Sequence, residues 1–344
     1  MKNMELSGSF VCAILPFINR FFDSVTSKGY PMFATQTRSR VTPSKLTSAK
    51  KEVEMAPVAF GELTDCTPLL DDATALRRHM REEGYLLLRG LLDRDEVQAA
   101  RTSMVERLAE QGHIDLTQPL DTAKAAPEAR VAFKPDIARN NPLVHKVVYD
   151  GPLMAFFAHF LGGPVRHYDY TWIRTVAPGL STPPHMDVVY MGRGTKRLYT
   201  AWTPYGDVPR EMGGLMVLER SHLNQRLVNG YGSKDVDKFC ENRVGSGYVK
   251  MGGGGNISPG GWLSRDPVTL RQRIGGRWLT TDYQMGDVLI FSIFLVHCSL
   301  DNNTDRIRLT SDTRYQLAAE PVDERWIGEE PIAHGPEGKQ GMIC

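Results

Sequence analysis

From residue 165 onward the chain reads as short apolar runs broken by turn residues, with no long helical pattern between them. The runs fall at 166–176, 197–203, 214–218, 276–280, 288–296 and 308–317, and they draw heavily on Val, Leu, Ile, Thr, Trp and Tyr. β-Branched and aromatic side chains suit a pleated, half-buried surface, and strands this close together leave no room for the crossover helices of a parallel α/β sheet. The pattern predicts a mainly β fold, a sandwich or barrel, with helices confined to its flank.

Those helices come first in the chain. Asp71 or Asp72 is placed to cap a helix through Ala75, Leu76, His79 and Met80, and Gly84 stops it before the strand Tyr85-Leu86-Leu87-Leu88-Arg89. Leu92-Asp93 opens a second helix, in which Val97, Ala100, Met104 and Leu108 recur at helical spacing. A third is predicted over 142–160, ended by Leu161-Gly162-Gly163-Pro164. The polar stretch 113–131 between the last two reads as a loop near a pocket or a surface excursion.

A chain of 344 residues can hold all of this in one catalytic domain, expected over 61–330, with its helical part at about 70–163 and its β core at about 165–320. Residues 1–60 combine an apolar patch at 10–18 with a stretch rich in Ser, Thr, Lys and Arg, and read as a flexible extension, with organelle targeting as the alternative. Order is expected from near Leu69, and 331–344 read as a tail. The stretch 230–276 is an insertion centred on Met251-Gly-Gly-Gly-Gly-Asn256. Consecutive glycines carry too much backbone entropy to hold a strand, so a loop or substrate lid is expected there, against an ordered surface decoration or dimer contact.

Charge and cysteine usage narrow the partners. With 41 Lys and Arg against 40 Asp and Glu the net charge is +1, which lacks the basic field of a nucleic-acid binder. Cys12, Cys66, Cys240, Cys298 and Cys344 are odd in number and far apart, so no disulfide framework or thiolate zinc site is expected; the cytoplasm or another reducing compartment fits. The apolar run 288–296 is far short of the roughly 20 residues of a membrane span. Either a monomer or a homodimer is compatible with the sequence.

Chemistry enters with Pro183-Pro184-His185-Met186-Asp187. Residues two apart on an extended strand project the same way, so His185 and Asp187 could reach one metal. His297 closes the apolar run 288–296 and could point into a barrel mouth. Two imidazoles and one carboxylate on one face suit high-spin iron(II), although zinc could also sit there. The spacing is not that of His-Glu-x-x-His hydrolases or of deaminases. Arg308 begins the last long strand and could clamp a carboxylate bidentately, being carried back to the metal on a strand adjacent to that of His297. Arg306 and Arg314 share its face by parity, so only distance from His297 favours Arg308.

Together, His185-x-Asp187, Ala201-Trp202-Thr203, the stretch Gly213-Gly214-Leu215-Met216-Val217-Leu218-Glu219-Arg220-Ser221-His222, and His297 with Arg308 resemble the phytanoyl-CoA dioxygenase family of iron(II) and 2-oxoglutarate oxygenases. The resemblance covers roughly residues 70–320. It implies a double-stranded β-helix, the cupin-like jelly roll, preceded by helices. It implies His185, Asp187 and His297 as iron ligands, Arg308 on the remote carboxylate of 2-oxoglutarate, dioxygen as the oxidant, and release of succinate and carbon dioxide. Retention of Asp187 favours hydroxylation over halogenation. Arg220 and Met186 stand where relatives often have Gly and Gln.

Around the metal, Thr200 and Trp202 share a strand face near the cosubstrate, Trp202 being supported by the resemblance. Tyr168, Tyr170 and Trp172 alternate on one strand and could line a cavity, or form an aromatic core stripe. Met186 is another pocket residue, although on a regular strand it faces away from the metal and packs. Tyr248, Asn256 and Trp262 are lid residues, and Asn302 forms the turn after His297. The expected activity is hydroxylation of an unactivated C–H bond in a small lipid-like or specialised metabolite. The alternatives are desaturation, cyclisation or epoxidation, a same-fold metal isomerase or other dioxygenase without 2-oxoglutarate, and a non-catalytic binding protein.

Overall fold

The computed structural model describes residues 45–241 and 261–343. Tyr248 and Asn256 lie outside the described residues, as does the chain before Lys45.

The fold opens with a small hairpin of β1 (Thr47–Ser48) and β2 (Lys51–Glu52), followed by β3 (Phe60–Glu62). Helix α1 (Ala73–Glu83) is capped by the Asp72 carboxylate, which accepts from the Thr74 and Ala75 amides. It ends at Gly84, whose φ of 84° is a backbone conformation glycine adopts without strain. Strand β4 (Tyr85–Leu88) leads into α2 (Arg94–Glu110), capped by Asp93. Two shorter helices follow, α3 (Pro142–Tyr149) and α4 (Gly151–Leu161). Next come β5 (Val165–His167), β6 (Trp172–Val176), a single helical turn α5 (Val188–Met191), β7 (Tyr199–Pro204) and β8 (Leu215–Leu218). Beyond these lie α6 (Gln225–Asn229), β9 (Lys238–Cys240), α7 (Pro267–Ile274), β10 (Trp278–Thr280), β11 (Val288–Ser292), β12 (His297–Ser299), β13 (Arg308–Leu317) and β14 (Gln340–Met342).

Two sheets carry the core. The larger runs β4-β11-β7-β13-β5, with β6 also paired to β13; the smaller runs β12-β8-β10-β3. An antiparallel bridge between His185 and His297 extends the smaller sheet by one more chain. Strand parity then sorts the side chains into layers. Leu86, Leu88, Ala201, Ile290, Leu309 and Tyr315 face the helices, where Phe157 of α4 stacks on Tyr315 at 4.1 Å. Their neighbours Tyr85, Leu87, Trp202, Leu289 and Phe291 face Leu215, Val217 and Leu279 of the smaller sheet. Met216, Leu218, Trp278 and Cys298 lie on the outer side of the smaller sheet, packed with Phe60, Met186 and Trp326. Two facing sheets with helices over the outside of one make a cupin-like jelly roll, the double-stranded β-helix.

Several sequence expectations are corrected. The ordered fold begins by Lys45, not near Leu69 or at residue 61: Leu46, Val53 and Phe60 are buried, and Ser48 Oγ donates to the Ser299 carbonyl at 2.7 Å. Two-residue strands leave no periodicity to read. The predicted helix 142–160 is two helices, because Asp150-Gly151-Pro152 places a cap, a positive φ of 56° and a missing amide in a row. The run 166–176 is interrupted between β5 and β6, so Tyr168 and Tyr170 are off-strand. The run 288–296 is not one strand: β11 stops at Ser292, the chain turns, and His297 begins β12 in the opposite sheet. The insertion at 230–276 is ordered at both margins, in β9 and α7, and the tail at 331–344 supplies β14, which pairs with β9.

Candidate metal centre

His185 and His297 are joined backbone to backbone, each amide donating to the other's carbonyl at 3.0 Å. That reciprocal pair places the imidazole rings 4.2 Å apart between centroids. Asp187 is not on an extended strand with His185, as alternation predicted, but already has the helical dihedrals that open α5. The junction between bridge and helical turn brings its carboxylate beside both rings. His185 Nε2 and His297 Nε2 lie 3.6 and 3.7 Å from Asp187 Oδ1. One ligand atom from each of the three falls within 4.8 Å of the others, and all three residues are buried.

The hydrogen bonds around this set fix its chemistry. His185 Nδ1 sits 2.8 Å from the Pro183 carbonyl and His297 Nδ1 3.0 Å from the Leu295 carbonyl. A carbonyl only accepts, so both rings carry their proton on Nδ1 and turn the Nε2 lone pair inward. Burial, then the neighbouring His297, pushes the His185 pKa down to about 3, so the ring is a neutral ligand at ordinary pH. Burial alone would raise Asp187, but Arg314, the two histidines and Thr200 outweigh it and hold the carboxyl well below its usual range. Asp187 Oδ2 accepts from Arg314 Nη2 at 2.9 Å and from Thr200 Oγ at 2.5 Å, leaving Oδ1 for the histidine side. The Nε2-to-Oδ1 separations are too long for hydrogen bonds, so three electron-pair donors aim at one point. Two nitrogens and one oxygen in that arrangement fit a divalent iron.

The arginines separate clearly. Arg306 precedes β13 and is exposed. Arg314 is committed to Asp187 and also covers the Trp172 ring at 4.1 Å. Arg308 is 1% exposed, donates from Nη1 to the Gly213 carbonyl, and has no carboxylate in salt-bridge contact among the described residues. Its Nε and the Thr310 hydroxyl two residues on are buried with no hydrogen-bond partner. Both face the space between the sheets, because Leu309 between them faces the helices. Burial lowers the Arg308 pKa to about 10, and the group stays cationic at neutral pH. It reaches this space from the opposite sheet, not from a strand adjacent to β12 as the sequence reading had it.

Other expected site residues divide. Thr200 donates its hydroxyl to Asp187 Oδ2 and so positions that carboxylate. Trp202 is buried in the apolar layer between the sheets, 4.6 Å from Tyr283. Tyr168 and Met186 are corrected to core residues, both 0% exposed and part of one apolar cluster with Trp172 and Trp326. Tyr170 and Trp172 touch at 4.6 Å and continue to Trp326. Trp262 is partly buried beside Leu263, whose amide donates to the Pro184 carbonyl next to His185. Asn302 does form the turn, its side chain bonding Val176, Arg306 and Thr304. Sequence reading missed Tyr190, whose ring lies 5.6 Å from His185, and the ion pair of Arg174 with Asp312 at 2.8 Å.

The family model for phytanoyl-CoA dioxygenase matches residues 80–310, which span every residue of this centre except Arg314 and Asp312. The chain belongs to the phytanoyl-CoA dioxygenase family. As a member of that family it is an iron- and 2-oxoglutarate-dependent oxygenase. Among curated proteins it is similar to 1-deoxypentalenic acid 11-beta-hydroxylase of Streptomyces exfoliatus, 30% identical over 271 residues, covering 76% of this chain and 87% of the relative. The Streptomyces arenae protein of the same name is 29% identical over the same coverage. Among solved structures, the carbocyclase SnoK of nogalamycin biosynthesis superposes with a TM-score of 0.53 at 20% identity, covering 76% of this chain and 89% of that one. EctD from S. alaskensis with bound Fe gives 0.51 at 17% identity, over 87% and 98%. Both share the fold of this phytanoyl-CoA dioxygenase family member. Among its described residues no helix is long and apolar enough to cross a membrane.

Proposed function

We propose that this oxygenase hydroxylates an unactivated C–H bond of a small, largely apolar metabolite, with His185, Asp187 and His297 as the iron ligands. The convergence of two inward Nε2 lone pairs and one carboxylate oxygen carries this reading. Arg308 would hold the remote carboxylate of 2-oxoglutarate: its buried Nε and the Thr310 hydroxyl are donors in need of an acceptor, and a bidentate guanidinium suits a carboxylate. Iron, 2-oxoglutarate and dioxygen together supply the oxidant, with succinate and carbon dioxide as coproducts. The chain's own work is to hold both imidazoles by Nδ1 with Nε2 turned inward, to direct Asp187 Oδ1 inward, and to exclude water behind Trp202, Leu289 and Phe291. The named activity of the Streptomyces relatives, 11-beta-hydroxylation of 1-deoxypentalenic acid, supports a small-molecule substrate. The buried free thiols Cys66 and Cys298 are in keeping with a reducing compartment.

Anaerobic titration with iron(II) and 2-oxoglutarate, followed through the weak visible charge-transfer band, tests the assignment. His297→Ala is expected to abolish tight iron binding, whereas Arg308→Ala keeps iron and weakens 2-oxoglutarate by roughly 10- to 100-fold, the worth of charged hydrogen bonds. Unchanged iron affinity in His297→Ala would end the ligand assignment.

A further inference from the structure

Outside the metal centre, positive charge collects in one cavity. The space, of about 680 Å³, is walled by α5, the end of α6, the turn through Ser233 and Asp235, and the first residues of β9 and β14. That volume falls in the roughly 300–1,000 Å³ of small-molecule sites. Arg193, Lys196, Lys234 and Lys238 line it, and among the described residues Asp235 is its only lining carboxylate. No ligand of the metal centre takes part, although Val188 in the wall directly follows Asp187.

The acids nearby are already committed. Asp235 accepts from Arg193 Nε at 2.7 Å and from the Asp237 amide at 2.9 Å, with Arg325 Nη1 at 3.5 Å. Asp323 is bonded to Arg325 and to the Arg193 amide, and Asp237 to Arg325, His334 and Lys339. Two lysines are left over. The Lys196 ammonium donates to the Gly192 carbonyl at the end of α5, and neither Lys196 nor Lys238 has a carboxylate in salt-bridge contact among the described residues. Lost hydration lowers the Lys196 pKa and Lys238 lowers it further, while Asp323 and Asp235 only partly oppose them, so the two ammoniums feel each other's charge. Arg193 keeps Nη2 buried with no partner, which leaves its own charge incompletely answered.

Like charges gathered in a concave wall focus their field and raise the local concentration of anions. The donors here select among anions. A carboxylate is best met by the planar fork of an arginine, whereas ammoniums on flexible stems act as point charges and suit the dispersed oxygens of a phosphate. A phosphomonoester carries about −1.5 to −2 at neutral pH, enough to answer two lysines where a monoanion answers one. Val188, Val228 and half-buried Phe294 add an apolar wall for an organic body.

We propose that this cavity is a second ligand site, separate from the metal centre, which binds the phosphate group of a small molecule through Lys196 and Lys238. Lys234 and Arg193 add to the attracting field. The site does not depend on the iron assignment.

The test uses the full chain, loaded anaerobically with iron(II) and 2-oxoglutarate and desalted, so that the metal centre is occupied. Inorganic phosphate, phenyl phosphate and benzoate are titrated calorimetrically at low salt. Phosphate and phenyl phosphate are expected to bind at least about 10-fold more tightly than benzoate, and the double variant Lys196→Gln with Lys238→Gln to lose about 10- to 100-fold in affinity for both, the range of charged hydrogen bonds. Lys45→Gln with Lys50→Gln removes the same charge elsewhere and should change neither. In the wild-type chain, bound phenyl phosphate should also shield Lys196 and Lys238 from acetylation, read by mass spectrometry, a result that needs no variant to fold. Tighter binding of phenyl phosphate than of phosphate assigns the site to an organic phosphate and equal binding to inorganic phosphate; both support it. Absence of phosphate binding, benzoate binding as tightly, an affinity that survives the Lys196 and Lys238 changes, an equal loss in the Lys45 and Lys50 control, or unshielded lysines at saturation overturns the proposal. A phosphate that displaces 2-oxoglutarate, seen as loss of the charge-transfer band, overturns it as well, because the anion then occupies the metal centre.

Discussion

The residue that most shapes the metal centre without being one of its proposed ligands is Arg314. It holds Asp187 Oδ2 from one side while Thr200 holds it from the other, so the carboxylate can offer only Oδ1 to a metal. Outer partners of metal ligands typically contribute 10- to 100-fold to metal affinity. Arg314→Leu is accordingly expected to weaken iron(II) binding by roughly 10- to 100-fold, seen in competition with a chelator, and Thr200→Val to cost less because Arg314 remains. An unaltered iron affinity in Arg314→Leu would mean that the backbone alone orients Asp187. Parity along β13 was readable in the sequence and grouped Arg306, Arg308 and Arg314. What separates them is which partner each meets, and that depends on β13 lying opposite β12 in the other sheet, a fact no local pattern encodes.

Among the elements, the C-terminal segment behaves as a strap. Trp326 is fully buried, β14 pairs with β9, and Arg325 donates to Asp323, Asp237 and the carbonyl of Tyr190. Asp237 also accepts from His334 at 2.8 Å and Lys339 at 2.5 Å. Burial works to raise the Asp237 carboxyl, but the hydrogen bonds from His334 and Lys339 and the nearby Arg325 prevail and hold it well below its ordinary range. A carboxyl depressed in the folded state stabilises above its unfolded pKa of about 4, and that contribution is lost as pH falls through the folded value. The strap should therefore loosen on acidification below about pH 4, read as loss of near-ultraviolet tryptophan signal. Asp237→Asn should cost about 3 kcal/mol at neutral pH, the scale of breaking a buried ion pair, and flatten the acid limb of the stability curve. A sequence reader sees only a polar tail here, because Asp237 and its partners lie roughly a hundred positions apart. The helix caps, by contrast, were legible: Asp72 and Asp93 act on amides two and three positions away, within reach of a local pattern.

At the scale of the whole molecule, one apolar layer under the helices supports the larger sheet, and a second between the sheets closes the barrel behind the metal centre. Truncating Phe157, which stacks on Tyr315 on the helix side, should cost about 3–5 kcal/mol in denaturant unfolding yet leave iron(II) affinity unchanged, since the ring touches none of the proposed ligands. The jelly roll itself was foreseeable from strand density, whereas the hairpin at Thr47–Ser48 and Lys51–Glu52 was not, being stabilised by contacts to Ser299 and Asp301 and not by its own composition. The two-way amide link between His185 and His297 has a bearing on metal supply. Because that link is backbone to backbone, the two imidazoles are tied together whichever divalent cation they hold, and the donor set offers little discrimination by size. Intrinsic affinity then rises from manganese through iron to nickel and copper. Protein produced in nickel-rich medium, or passed over a nickel column, is thus expected to come away carrying the wrong and inert cation, and iron occupancy in the cell is governed by which ion is on offer.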